Sequence, residues 1–92
     1  GILINNSAVL DGFVLTGGNA NGTGAAASGA AMTNNGTSPT IRNCWFVGNV
    51  ATANGGAILN NFVTSPTATA SNPVISNCVF LSNSATNGAA LF

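Results

Sequence analysis

Asp11 and Arg42 are the only side chains with a formal charge, in a chain without Lys, Glu or His. A carboxylate near a guanidinium suggests either a base with its helper or a plain surface ion pair, the latter worth about 0–1 kcal/mol. Glycoside hydrolysis needs two carboxylates flanking the scissile bond, and one Asp cannot supply them. The ion pair is therefore the expected role, and no catalytic residue is assigned. Cys44 and Cys78 are the two thiols. Without a histidine or a third cysteine they fall short of a structural zinc set, so neither a metal nor a cofactor is expected. Trp45 is the single tryptophan, and its indole could stack on a sugar or pack against a neighbouring chain.

These residues sit inside a repeat. The stretch IRNCWFVGN at 41–49 returns as ISNCVFLSN at 75–83. Leu10-Asp11-Gly12-Phe13-Val14-Leu15 aligns with both, which gives three copies of one strand-corner-strand unit. A second element occurs four times, in Ile2-Leu3-Ile4-Asn5-Asn6, Ala31-Met32-Thr33-Asn34-Asn35, Ala57-Ile58-Leu59-Asn60-Asn61 and the shortened Ala90-Leu91-Phe92. Its steps of 29, 26 and 33 residues drift as a uniform core step with variable loops would drift. The apolar runs are short, rich in β-branched and aromatic residues, and bounded by Gly, Asn or Pro, which predicts strands rather than helices.

The corner position is Gly12, Asn43 and Asn77, the residue types that enter left-handed backbone at least cost. Beyond that corner a period of two points Phe13, Cys44 and Cys78 inward, with Leu15, Phe46 and Phe80. Leu10, Ile41 and Ile75 stack inside from the preceding strand, and Leu3, Met32, Ile58 and Leu91 from the second element. Stacked units about 4.8 Å apart bury these columns together where one unit could not. In such a stack the two cysteines lie in equivalent slots, at a spacing wider than the ~3.8 Å between Cβ atoms that a disulfide prefers. Two free thiols packed as small hydrophobes are expected. Trp45 falls in an outward column with Val14 and Val79, the candidate contact surface. Asp11 and Arg42 fall at the same outward position on neighbouring units. The many asparagines are expected to form side-chain ladders from unit to unit. The fold class predicted is all-β, a parallel β-solenoid of about three coils. It is one segment over 1–92, with coil repeats near 10–34, 41–61 and 75–92.

Gly55-Gly56-Ala57-Ile58 and the two F-x-x-N stretches, Phe46-Val47-Gly48-Asn49 and Phe80-Leu81-Ser82-Asn83, resemble the repeats of bacterial polymorphic outer-membrane proteins. More broadly, the chain resembles the right-handed parallel β-helices of large secreted and surface proteins in the pectate-lyase-like group. The resemblance covers nearly the whole chain. Gly29-Ala30-Ala31-Met32 and Gly88-Ala89-Ala90-Leu91 are degenerate copies of the Gly-Gly-Ala-Ile motif, and the first unit lacks the Asn-Cys pair. It implies a right-handed coil, an extracellular or cell-surface location in a bacterium, and an adhesive or passenger-type role. Lyases of that group use several acidic calcium ligands and a basic residue, a set this chain cannot assemble.

Composition narrows the partners. A single cation gives no electrostatic footprint for nucleic acid or anionic lipid. No apolar run approaches the ~20 residues of a transmembrane helix, and no signal peptide is visible. Fifteen Asn, ten Thr and twelve Gly supply the polarity that charge supplies elsewhere, while 46% hydrophobic residues in a regular pattern argue against disorder. Sequons at Asn5, Asn21 and Asn35 are what so much Asn and Thr produces by chance. Thr67-Ala68-Thr69 suggests an ice-binding array, but the pattern occurs once. Neither end carries a polar or helical cap, so an excerpt of a longer solenoid is expected, with end-to-end stacking as the rival. The functional expectation is a non-catalytic structural or adhesive segment. Its partners would be neighbouring coils, identical chains, surface glycans or host surface proteins. Alternatives are a self-assembling filament subunit, a non-catalytic part of a carbohydrate-active β-helix enzyme, and an ice-binding solenoid.

Overall fold

In a computed structural model of the chain, residues 2–3, 7–64 and 68–92 are described. Asn5 with its sequon, and Thr67 of the threonine pattern, lie outside them. The described strands are two to four residues long: β1 (Ile2–Leu3), β2 (Val9–Asp11), β3 (Val14–Thr16), β4 (Asn19–Ala20), β5 (Met32–Asn35), β6 (Thr40–Arg42), β7 (Trp45–Val47), β8 (Val50–Ala51), β9 (Ile58–Asn61), β10 (Val74–Ser76) and β11 (Val79–Leu81). One 3-10 turn, Gly24–Ala27, interrupts them.

Strands pair with their counterparts one repeat away. Three sheets run β1-β5-β9, β2-β6-β10 and β3-β7-β11, and β4 pairs with β8 in a fourth; every pairing is parallel. The register sets Leu10 beside Ile41 beside Ile75, and Leu15 beside Phe46 beside Phe80. Met32 lies beside Ile58. The protein is all-β, with parallel in-register sheets stacked in three tiers. The shortest dimension of the molecule is 16 Å, of which the four levels from β1 through Leu91, about 4.8 Å apart, span about 14 Å.

The strands that have a neighbour on both sides carry the core. Met32, Ile41, Cys44, Phe46, Ala57 and Ile58 are fully buried, with Leu10, Leu15, Ile75, Cys78 and Phe80 half-buried against them from either side. The rings of Phe46 and Phe80 stack with centroids 4.9 Å apart and planes 7° apart. Three expectations need correction. Met32 pairs with Ile2 and Thr33 with Leu3, so the first copy of the second element lies one residue out of the aligned register. Phe13 is 57% exposed. The slot it shares by alignment holds a cysteine in the other tiers, and a phenyl ring is too large for it. Leu91 bridges to Ile58 yet remains exposed, because it is covered from one side only among the described residues.

Backbone at the corners is left-handed, with φ of +79° at Gly12, +53° at Asn43 and +50° at Asn77. Glycine has a second use at Gly56. A Cβ there would run into the carbonyls of Ala89 and Ser84 in the next tier. The Gly-Gly step is thus where two tiers approach backbone to backbone.

Amide ladders tie the tiers together between the strands. Two of their members, Asn34 and Asn49, are fully buried, and Asn49 is the more extensively bonded. Asn49 ties three groups together. Its Nδ2 donates to the Leu15 carbonyl at 3.1 Å and to Asn83 Oδ1 at 3.0 Å, and its Oδ1 accepts from the Gly18 amide at 3.0 Å. Asn83 repeats the pattern one tier on, donating to the Phe46 carbonyl at 2.9 Å. Further rungs join Asn34 to Asn60 and Asn61 to Asn35, each at 2.8 Å. Another joins Asn87 to Asn54 at 3.0 Å. Among the described residues no helix is long and apolar enough to cross a membrane.

Candidate functional site

With Leu15, Phe46 and Phe80 turned inward, the flanking positions of β3, β7 and β11 face out. Val14, Trp45 and Val79 form one outward column, 65%, 49% and 36% exposed in that order. Thr16, Val47 and Leu81 form the next, and Leu81 is exposed as well. The indole therefore stands between two smaller aliphatic side chains on a face without charge. Val9 and Val74 extend exposed apolar surface onto the adjoining sheet. Applying the same period of two to β2 and β10 would have found them, and only the Trp45 column was singled out.

The charged pair lies on the neighbouring sheet. Arg42 Nε donates to Asp11 Oδ2 at 2.9 Å, and the corner residue Asn43 donates from Nδ2 to Asp11 Oδ1 at 2.9 Å. Asn77 Nδ2 continues upward, donating to Asn43 Oδ1 at 2.6 Å. Because Gly12 has no side chain, Asp11 receives the ladder that a first-tier asparagine would have received. The hydrogen bond from Asn43, and then that from Arg42, hold the Asp11 carboxyl below the usual carboxylate range. Both side chains are exposed, so the pair is a surface contact of small energetic weight. A carboxylate with both oxygens occupied by donors is a poor general base.

Cys44 and Cys78 are free thiols in equivalent inward slots, the first buried and the second half-buried. Among the described residues no group of three or more His, Cys, Asp or Glu side chains gathers as a metal site would require. Of the sequons, Asn21 is exposed, and Asn35 uses its amide oxygen to accept from Asn61. Beyond β9, Val63 and Thr69 pair antiparallel near the exposed ring of Phe62. A cleft of about 350 Å³ opens next to the first tier, lined by Ile2, Val14, Leu15, Gly18, Ala31 and Asn49. Its lining mixes aliphatic side chains with Thr16 and Asn49 and holds no ionisable group, so it offers volume without acid–base chemistry.

No family model, curated protein or solved structure matches the chain.

Proposed function

We propose that the chain is a non-catalytic structural segment of a secreted or cell-surface bacterial protein, coiled as a right-handed parallel β-helix of about three turns. It acts as a rigid, nearly uncharged spacer that presents an adhesive face. The parallel in-register stacking supports the coil, and the handedness rests on the resemblance of its repeats. The observation that carries the adhesive role is the outward Val14–Trp45–Val79 column, an aromatic residue exposed on the central strand of its sheet.

The size of that face says what sort of adhesion it gives. Three residues by three strands cover about 10 by 14 Å, far below the ~800 Å² per partner of a stable interface. Each contact is weak, and useful attachment depends on many copies acting together. Beads coated densely with the chain provide that multiplicity. Retention of such beads on cell monolayers, and on one another, is expected to fall at least several-fold with Trp45→Ser. Equal retention of the two coatings, with both proteins folded, refutes the adhesive reading.

A further inference from the structure

We propose that Cys44 and Cys78 are a thiol pair that closes into a disulfide between the second and third tiers on exposure to a small-molecule disulfide. The proposal goes beyond the adhesive reading and rests on the register of β7 and β11 alone. Trp45 pairs with Val79, and the Val79 amide donates to the Cys44 carbonyl at 2.9 Å. The two cysteines are therefore direct neighbours across the sheet. A strand spacing of about 4.8 Å puts their Cα atoms within the roughly 4.4–6.8 Å that disulfides span. Their Cβ atoms are somewhat wide of the best distance, which suits a bridge that forms under oxidation and is readily reduced.

One of the thiols is also aimed at the other. Cys78 Sγ lies 3.7 Å from the Ile41 carbonyl of the preceding tier and 3.3 Å from that of Ser76. Cys44 Sγ has the same arrangement, 3.7 Å from the Leu10 carbonyl and 3.2 Å from that of Arg42. Both sulfurs lean toward the preceding tier, so Cys78 Sγ leans toward Cys44. Closure requires Cys44 Sγ to turn from the Leu10 side toward Cys78, giving up its contacts with the Leu10 and Arg42 carbonyls. Burial sets the order of events, since Cys78 is half-buried and Cys44 fully buried.

With oxidised glutathione the Cys78 thiolate attacks one sulfur of the reagent. A Cys78–glutathione bond forms, the reagent's S–S bond breaks, and the departing glutathione thiolate takes up the proton lost by Cys78. The Cys44 thiolate then attacks Cys78 Sγ. The protein disulfide forms, the mixed disulfide breaks, and a second glutathione leaves with the proton from Cys44. Two protein thiols are oxidised and one glutathione disulfide is reduced to two thiols.

The test treats the folded chain with oxidised glutathione, quenches with acid, alkylates with N-ethylmaleimide and weighs the intact protein. The expected result is a transient mixed disulfide, followed by a species short of two hydrogens that takes no maleimide and reopens with dithiothreitol. Closure should be about tenfold or more faster than in strong urea, where the thiols meet only by chain diffusion. Cys44→Ser should stop at the mixed disulfide, and Cys78→Ser should stay unmodified over the same exposure. The proposal is overturned if the wild-type chain stops at the mixed disulfide, keeps two alkylatable thiols, or closes no faster than in urea. Should either serine variant fail to fold, the folded-to-urea ratio of the wild-type chain still decides.

Discussion

Replacing Asn49 by alanine tests whether buried amides, rather than apolar contact alone, hold the tiers in register. The side chain makes three hydrogen bonds from a fully buried position, to the Leu15 carbonyl, the Gly18 amide and Asn83 Oδ1. Alanine strands the Gly18 amide at about 1–3 kcal/mol and forfeits the bonds to Asn83 Oδ1 and to the Leu15 carbonyl, which keeps its place in the β3–β7 ladder, at about 1 kcal/mol each. Asn83 Oδ1 itself keeps the Asn49 backbone amide as a donor. The cleft beside Gly18 lets water reach the stranded amide, so the low end applies, about 3 kcal/mol in all. For a domain of this size that lowers Tm by roughly 12–24 °C. Thermal and urea melts followed by circular dichroism measure it. Asn35→Ala is the reference, because it removes one exposed ladder bond and should cost about 1 kcal/mol or less. Asn49→Asp adds a directional check. A carboxylate only accepts, so at neutral pH it should cost at least as much as alanine. It should recover in part as acid restores one O–H donor. The reasoning fails if Asn49→Ala costs no more than Asn35→Ala.

Other consequences are open to the same melts. The Asp11 carboxyl is held below its usual range when folded, so its stabilising contribution is complete above the unfolded value and is lost as pH falls below about 4. Asp11→Asn should flatten that acid limb of the Tm profile, and an unchanged limb would refute the assignment. At the corner, Asn43→Ala and Asn43→Gly remove the same side-chain bonds. Alanine alone must hold φ near +53°, so it should be about 1 kcal/mol the less stable, strain being partly offset by glycine's unfolded-state entropy. Equal midpoints would exclude left-handed strain there. Gly56→Ala should cost about 2–3 kcal/mol through its collision with the Ala89 and Ser84 carbonyls, whereas Gly48→Ala meets open space and should cost only the strain of its positive φ.

What the sequence disclosed depended on whether a residue's role repeats. The Leu10–Ile41–Ile75 and Leu15–Phe46–Phe80 columns were readable because stacking requires like side chains at like positions, and the corner because few residue types take positive φ. Phe13 was misplaced for the same reason: alignment with Cys44 and Cys78 gives its position in the chain but ignores the volume of the slot. Asn49 was visible as the end of an F-x-x-N stretch, but its function was not. Its partners are backbone groups of Leu15 and Gly18 one tier away, and backbone groups leave no mark in a sequence. The β4–β8 pair leaves no mark because a two-residue ladder carries no periodicity.

The scarcity of charge then follows from the register. Parallel in-register strands place each residue about 4.8 Å from its own counterpart. Like charges at that distance repel by about 1 kcal/mol in water and about 3.5 kcal/mol at an effective dielectric of 20, and the penalty recurs at every tier. An asparagine has no such conflict, since its amide both donates and accepts and can bond to another asparagine above or below. The rungs Asn77 to Asn43, Asn61 to Asn35 and Asn87 to Asn54 use that property. The one exception fits the rule from the other side. Arg42 stacks not on a second cation but on Asp11, with Ser76 at the position beyond it. Asp11→Arg would put two guanidiniums in one column and leave Asn43 Nδ2 without its acceptor. It should therefore destabilise more than Asp11→Ser, and added salt should narrow the difference because these side chains are exposed. A salt-independent gap would mean that the lost hydrogen bonds, not like-charge contact, decide which residues this register accepts.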